Sequence, residues 1–292
     1  MTADATTAAA RTPRTDRGTV PPTAPVVGVR GLTVVYDTAP VLDGVDLDVA
    51  PGEVVALLGH SGSGKSTLMR ALTGMAPVTS GEVRVAGREV TALRGRALRS
   101  LRADVGHVFQ HFHLVPRLSA LANVLTGGLH EAGPASRIGV FSREQRVRAL
   151  ALLDRVGLAD QARQQARTLS GGQQQRVAIA RALMQEPGLI LADEPVASLD
   201  PRLAGSVLGL LSDLARERGV PVLVSLHVVA LARRYTDRAV GLREGRVVAD
   251  LASADLDAAA VREIYGADTE FGTDDDGPAA RRGAAPLPGG TA

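Results

Sequence analysis

The 292-residue chain has no cysteine and no tryptophan, and its aromatics are four Phe and three Tyr. Without cysteine, disulfides and thiolate metal sites are excluded. So few aromatics provide no row of stacking platforms of the kind that single-stranded nucleic acids occupy. No apolar run approaches the roughly 20 residues needed to span a bilayer. The longest candidate, 220–232, is short and contains His227. The first 25 residues, rich in Ala, Thr and Pro, lack the apolar run of a signal peptide. The formal net charge is only +2. The sequence pI of about 9.5 therefore reflects a shortage of groups titrating between roughly pH 8 and 11, not a basic surface. Lysine is almost missing too. Of the 33 basic residues, 32 are arginine and one is Lys65.

That lysine stands in Gly59-His60-Ser61-Gly62-Ser63-Gly64-Lys65-Ser66-Thr67, a full match to the G-x-x-x-x-G-K-[ST] phosphate loop. Arginine is planar and forked, whereas lysine is a compact point charge on a flexible stem. A loop wrapped around a triphosphate has room for the second, so phosphate binding explains why one lysine persists. Backbone N–H groups of such a loop cradle phosphates, and Ser66 is placed to ligate Mg²⁺.

The hydrophobic fraction, 45%, is ordinary for a globular protein with a real core. Residues 1–25 read as a disordered arm and 267–292 as a disordered tail, with a folded part over 26–266. Four short apolar runs end in polar groups. These are Val54–Leu58 before the loop, Val105–Phe109 before Gln110, Leu189–Ala192 before Asp193-Glu194, and Val222–Leu226 before His227. Each has the length and composition of a fully buried strand. Ligands of open α/β sheets bind at the carboxyl ends of parallel strands, so four such ends predict one nucleotide crevice.

Residues 26–50 alternate apolar and polar, with turns expected at Gly31 and Asp43-Gly44, and predict an antiparallel layer joined later by Glu82–Ala86. A helical stretch follows at about 113–170. In it Ser142 and Gln145 form a capping box, Ala149, Leu152, Leu153 and Val156 mark an apolar face, and Gly157 supplies a terminator. Arg94, Arg96, Arg99 and Arg102 surround Leu98 and Leu101 with no interleaved aromatics. They read as a solvated helix face, and no nucleic-acid partner is expected.

Leu169-Ser170-Gly171-Gly172-Gln173 is a serine-capped helix start, and such starts hold anions. Together with the phosphate loop, Asp193-Glu194 and His227 in that order, it resembles the signature of ATP-binding cassette (ABC) ATPases over about 26–266. The resemblance implies an α/β fold: a P-loop NTPase (RecA-like) core with an antiparallel β subdomain and an inserted helical subdomain. It implies ATP and Mg²⁺, with Asp193, Ser66 and Gln110 at the metal and Glu194 as general base. His227 and Lys65 would act on the γ-phosphate, and Gln110 would sense the membrane partner. Tyr36 would stack on adenine. Ser198-Leu199-Asp200 would form the loop that signals across a dimer. Each ATP would lie between residues 59–67 of one subunit and Ser170, Gly171 and Gly172 of another, with Asp200 nearby, so activity requires a homodimer. Translation-factor and DNA-repair relatives would carry two cassettes or long coiled coils, and neither is present.

The stretches around Gln110, "ASLDP", "EIYG" and the spacer 126–142 resemble the ATPase subunits of phosphonate importers. These work with separate membrane permeases and an extracytoplasmic binding protein, at the cytoplasmic face of the membrane. Phosphite or phosphate are alternative cargoes. Lipoprotein-release or macrolide-type exporter ATPases share the style around Gln110 and are the alternative. Val228 after His227 departs from the importer pattern, which has Gln there.

Overall fold

The four apolar runs lie side by side in one sheet. This computed structural model describes residues 24–130, 141–197 and 199–266. Most of the expected arm, all of the expected tail, most of the spacer 126–142 and Ser198 lie outside them. The runs are β3 (Val54–Leu58), β6 (Val105–Val108), β7 (Leu189–Ala192) and β8 (Val222–Ser225). With β9 (Arg238–Arg243) and β10 (Arg246–Ala252) they form a six-stranded sheet in the order β10-β9-β3-β8-β7-β6. All pairings are parallel except the β9–β10 hairpin.

The runs are predominantly apolar because both sheet faces are covered. Successive side chains of a strand point to opposite faces. Accordingly Val54, Ala56 and Leu58 join one buried cluster, while Val55 and Leu57 join the other. The second cluster contains α1 (Lys65–Leu72) and a four-stranded antiparallel sheet. That sheet has the order β2 (Ala39–Val49), β1 (Val27–Tyr36), β4 (Ser80–Val85), β5 (Arg88–Glu89).

Gly31 and Gly44 are not turns. Both have positive φ, +55° and +66°, yet the chain passes through them inside β1 and β2, where the pairing register shifts. Glycine serves a bulge for the same reason that it serves a turn, its freedom at positive φ. The hairpin closes instead at Asp37-Thr38.

The helical stretch contains α3 (Ala120–Gly127) and α4 (Arg143–Arg155). The Ser142–Gln145 capping box is formed, and Gly157 at φ +68° follows the helix end. Ala149, Leu152, Leu153 and Val156 are buried as predicted. They share one cluster with α5 (Gly171–Leu183), α6 (Pro201–Arg218) and a sheet face, so this subdomain has no core of its own. At Gly127 a Cβ would lie 2.1 Å from the Arg181 carbonyl, which shows how closely α3 meets α5.

Helix α2 (Gly95–Ala103) carries the arginine cluster. Arg94, Arg96 and Arg99 are exposed, but Arg102 departs from the solvated-face reading. It donates to the carbonyls of Thr73 at 2.9 Å and Gly74 at 3.0 Å, the orphan acceptors just past α1. Helices α7 (Val229–Tyr235) and α8 (Ala258–Tyr265) complete the described chain.

Candidate functional site

Residues 59–64 carry the chain from β3 into α1. Gly59, Gly62 and Gly64 have φ of +144°, +81° and +107°. A Cβ at Gly59 would meet the Leu242 carbonyl at 2.2 Å, and one at Gly64 would meet Leu42 at 2.6 Å. Both positions therefore demand glycine. Gly64 caps α1 without any side-chain bond, and no acidic residue occupies the first turn. The α1 amides and the helix dipole thus face the loop as an anion site. Ser63 Oγ is buried there without a hydrogen-bond partner, as fits a loop that receives phosphate oxygens.

Lys65 is 5% exposed, and its ammonium donates to the carbonyls of Gly59 at 2.7 Å and His60 at 2.9 Å. Burial lowers its pKa, opposed by the carboxylates of Glu194 and Asp193. This electrostatic coupling ties the loop to the end of β7.

There the Asp193 N–H continues the ladder to the Val108 carbonyl at 2.9 Å. The Ser225 hydroxyl, at the end of β8, donates to Asp193 Oδ1 at 2.8 Å. The Ser225 hydroxyl oxygen in turn accepts the Glu194 N–H at 2.7 Å. Glu194 has φ +47°, a left-handed setting that non-glycine residues adopt only where their surroundings hold them. Its Oε1 lies 2.5 Å from His227 Nε2. The structure therefore brings the loop, Asp193, Glu194 and His227 together at the carboxyl ends of β3, β7 and β8.

Ser66 and Asp193 offer a hydroxyl and a carboxylate, both hard oxygen donors. Among the described residues no cluster of three or more His, Cys, Asp or Glu could hold a metal. A hydroxyl and a carboxylate suit Mg²⁺, which keeps one or two protein ligands and takes phosphates and waters for the rest. Gln110 is exposed two residues past Val108, whose partner in register is Ala192, so it stands at the same sheet end as Asp193. Tyr36, 39% exposed, ends β1 opposite Ala39. The adjoining start of β2 is in contact range of the loop, since a Cβ at Gly64 would lie 3.0 Å from the Val41 carbonyl.

Ser170, Gly171 and Gly172 are held apart from this group. Ser170 and Gln173 form a reciprocal capping box at the start of α5. A Cβ at Gly171 would meet Phe112, and one at Gly172 would meet Leu203 and Leu199, none of them in the loop. Asp200 caps α6, its Oδ1 accepting the Arg202 and Leu203 N–H groups at 3.1 Å each.

Two contributors escaped the sequence reading. Ser225 is one; a lone hydroxyl closing an apolar strand was the available signal. Tyr265 is the other. Its hydroxyl accepts the Gly59 N–H at 3.3 Å, and its carbonyl accepts from His60 Nε2 at 2.6 Å. The rings of His60 and Tyr265 also meet edge to face at 5.2 Å.

Comparison with known proteins gives a consistent picture. The family model described as ABC transporter matches residues 42–197. The phosphonates import ATP-binding protein of Rhizobium etli is 50% identical over 230 residues, 78% of this chain and 82% of that protein. The protein of the same name from Frankia casuarinae is 52% identical, covering 82% and 95%. The phosphate-import ATP-binding protein of Mycolicibacterium smegmatis is 52% identical, covering 82% and 92%. Among solved structures, the dimeric post-hydrolysis state of the ATP-binding cassette MJ0796, bound to ADP and Pi, superposes with a TM-score of 0.70. It is 36% identical, covering 78% of this chain and 98% of that one.

Proposed function

Since this chain belongs to the ABC transporter family of ATPases, we propose that it is the ATP-hydrolysing subunit of an importer for phosphonates or related phosphorus oxyanions. The observation that carries the mechanism is the convergence of the loop, Asp193 and the Glu194–His227 pair at one sheet end. Phosphoryl transfer demands little covalent chemistry of a protein and much positioning and charge compensation. Lys65 and the α1 amides hold the β- and γ-phosphates. Ser66 and Asp193, with Gln110 at the same sheet end, would hold Mg²⁺, and that ion would supply charge compensation for the transferred group. Glu194 orients and deprotonates the attacking water, and His227, held against Glu194, faces the γ-phosphate. Tyr36 lies against adenine.

The exposed, self-capped start of α5 completes the nucleotide site of a second copy, so the working unit is a dimer. The permease docks at a cleft of about 440 Å³ between β6 and the helical stretch, whose lining includes Met75, Arg102, His107, Phe109 and Arg181. Met75 is 52% exposed there, as suits an apolar contact awaiting a partner. No helix among the described residues is long and apolar enough to cross a membrane. In line with its importer relatives, the chain works on the cytoplasmic face beside separate membrane subunits. The relatives favour import over the exporter resemblance around Gln110, and their names span phosphonate and phosphate.

The test is the ATPase rate of the chain reconstituted with its permease. Binding protein loaded with phosphonate, phosphite or phosphate is added in turn. Stimulation by the phosphonate-loaded protein is the expected result. Activation by none of them, but by a lipophilic compound from the membrane, would move the function to export.

A further inference from the structure

Strand β8 is apolar except for Ser225, which is fully buried. A buried hydroxyl needs protein partners for both its donor and its acceptor, and here both serve the same dipeptide. The O–H donates to Asp193 Oδ1, and the oxygen accepts the Glu194 N–H. The sheet order makes this possible. Strand β8 lies between β3 and β7, Val224 faces Ala192, and Ser225 is therefore level with the point where β7 gives way to Asp193.

We propose that Ser225 is a positioning residue for ATP hydrolysis, one hydroxyl setting the Asp193 carboxylate and the Glu194 backbone in a single arrangement. The proposal rests on the roles given above to Asp193 and Glu194. Among the described residues no other side chain hydrogen-bonds the Asp193 carboxylate. With Oδ1 tied, the carboxylate cannot rotate freely, and its second oxygen keeps one orientation. Glu194 stands in the left-handed region, and its N–H bond to Ser225 fixes that setting. The setting in turn brings its carboxylate to His227. Outer partners of this kind orient ligands and bases without touching the substrate.

The test compares Ser225→Ala and Ser225→Thr in the full chain assembled with its permease. Ser225→Ala is expected to lower kcat at saturating ATP and Mg²⁺ by about tenfold or more, as loss of an outer partner does. Titration calorimetry supplies a readout independent of turnover. Ser225→Ala retains its ATP affinity without Mg²⁺ and loses about tenfold of the gain that Mg²⁺ confers on the wild type. Ser225→Thr, which keeps the hydroxyl, restores both. Should the alanine variant fail to fold, Ser225→Cys keeps the volume, weakens the bond and carries the same expectation. Wild-type kcat and wild-type Mg²⁺ gain in Ser225→Ala, beside an inactive Glu194→Gln, would overturn the proposal alone. So would kcat, KM and melting temperature falling together with no rescue by threonine, the mark of a packing role. Full turnover in Glu194→Gln would overturn the role of Glu194, and with it the action of Ser225 through that residue.

Discussion

Two helices of this chain start at glycines beside a serine, and they deal with their free amides in opposite ways. At α1 the cap is Gly64, left-handed and without a side-chain bond, and the first helical residue is Lys65. At α5 the cap is Ser170, which exchanges bonds with Gln173. A helix start leaves its first amides without intrahelical partners. The α1 start has only ligand oxygens to satisfy them, and its glycines and lysine are arranged for that. The α5 start satisfies the Ser170 and Gln173 amides with its own side chains, so its cap forms without nucleotide. In the proposed dimer the two starts would be unequal halves of one kind of site, the first to bind and the second to cover.

The largest effect comes from the catalytic side of the first half. Glu194→Gln should cut turnover by about 10²–10⁴-fold, the range for losing a positioned general base, while ATP affinity measured by calorimetry stays near wild type. Lys65→Ala comes next. Losing a charge-assisted contact to phosphate should weaken ATP binding by about 1.5–3 kcal/mol, and equal affinity would contradict the role of Lys65.

A third prediction concerns a region that belongs to neither half. His107 stacks on Phe109 with ring centroids 4.0 Å apart. Burial first, and then Arg70 and His113, hold its pKa down to about 4, while Asp193 opposes. Between that value and the usual 6.5 the unfolded chain binds a proton that the folded chain refuses. Stability should therefore fall as pH drops from about 6.5 to about 4, by up to ~3 kcal/mol. Urea unfolding at several pH values should show a flatter acid limb in His107→Phe.

The smallest effects separate the two helix starts directly. Ser170→Ala removes a cap and should cost about 1 kcal/mol of stability without nucleotide. Ser66→Ala, at the start of α1, removes no cap and should change that stability by less than about 0.5 kcal/mol, while raising the Mg²⁺ needed for activity. Equal destabilisation by the two would erase the contrast.

What was legible in the sequence was local or periodic. The buried strands, the capping box at Ser142, the helix cap at Ser170 and the loop at 59–67 each declare themselves within a few residues, and the structure forms all of them. Gly31 and Gly44 were misread as turns because a positive φ has the same signature in a bulge. Arg102 was misread because its acceptors, Thr73 and Gly74, lie nearly thirty positions away. Ser225 and Tyr265 were missed for the same reason. Ser225 meets Asp193 only once β7 and β8 are neighbours, and Tyr265 reaches Gly59 across 206 positions. Topology creates such contacts, and no spacing rule within one segment announces them.

The central claim is that the α5 start of one chain closes the nucleotide site built on α1 of another. Light scattering of Glu194→Gln tests it most directly. With saturating ATP and Mg²⁺ this variant should run at twice the mass of the chain, and the nucleotide-free wild type should run as a monomer. A variant that stays monomeric while calorimetry shows it saturated with ATP would contradict the account.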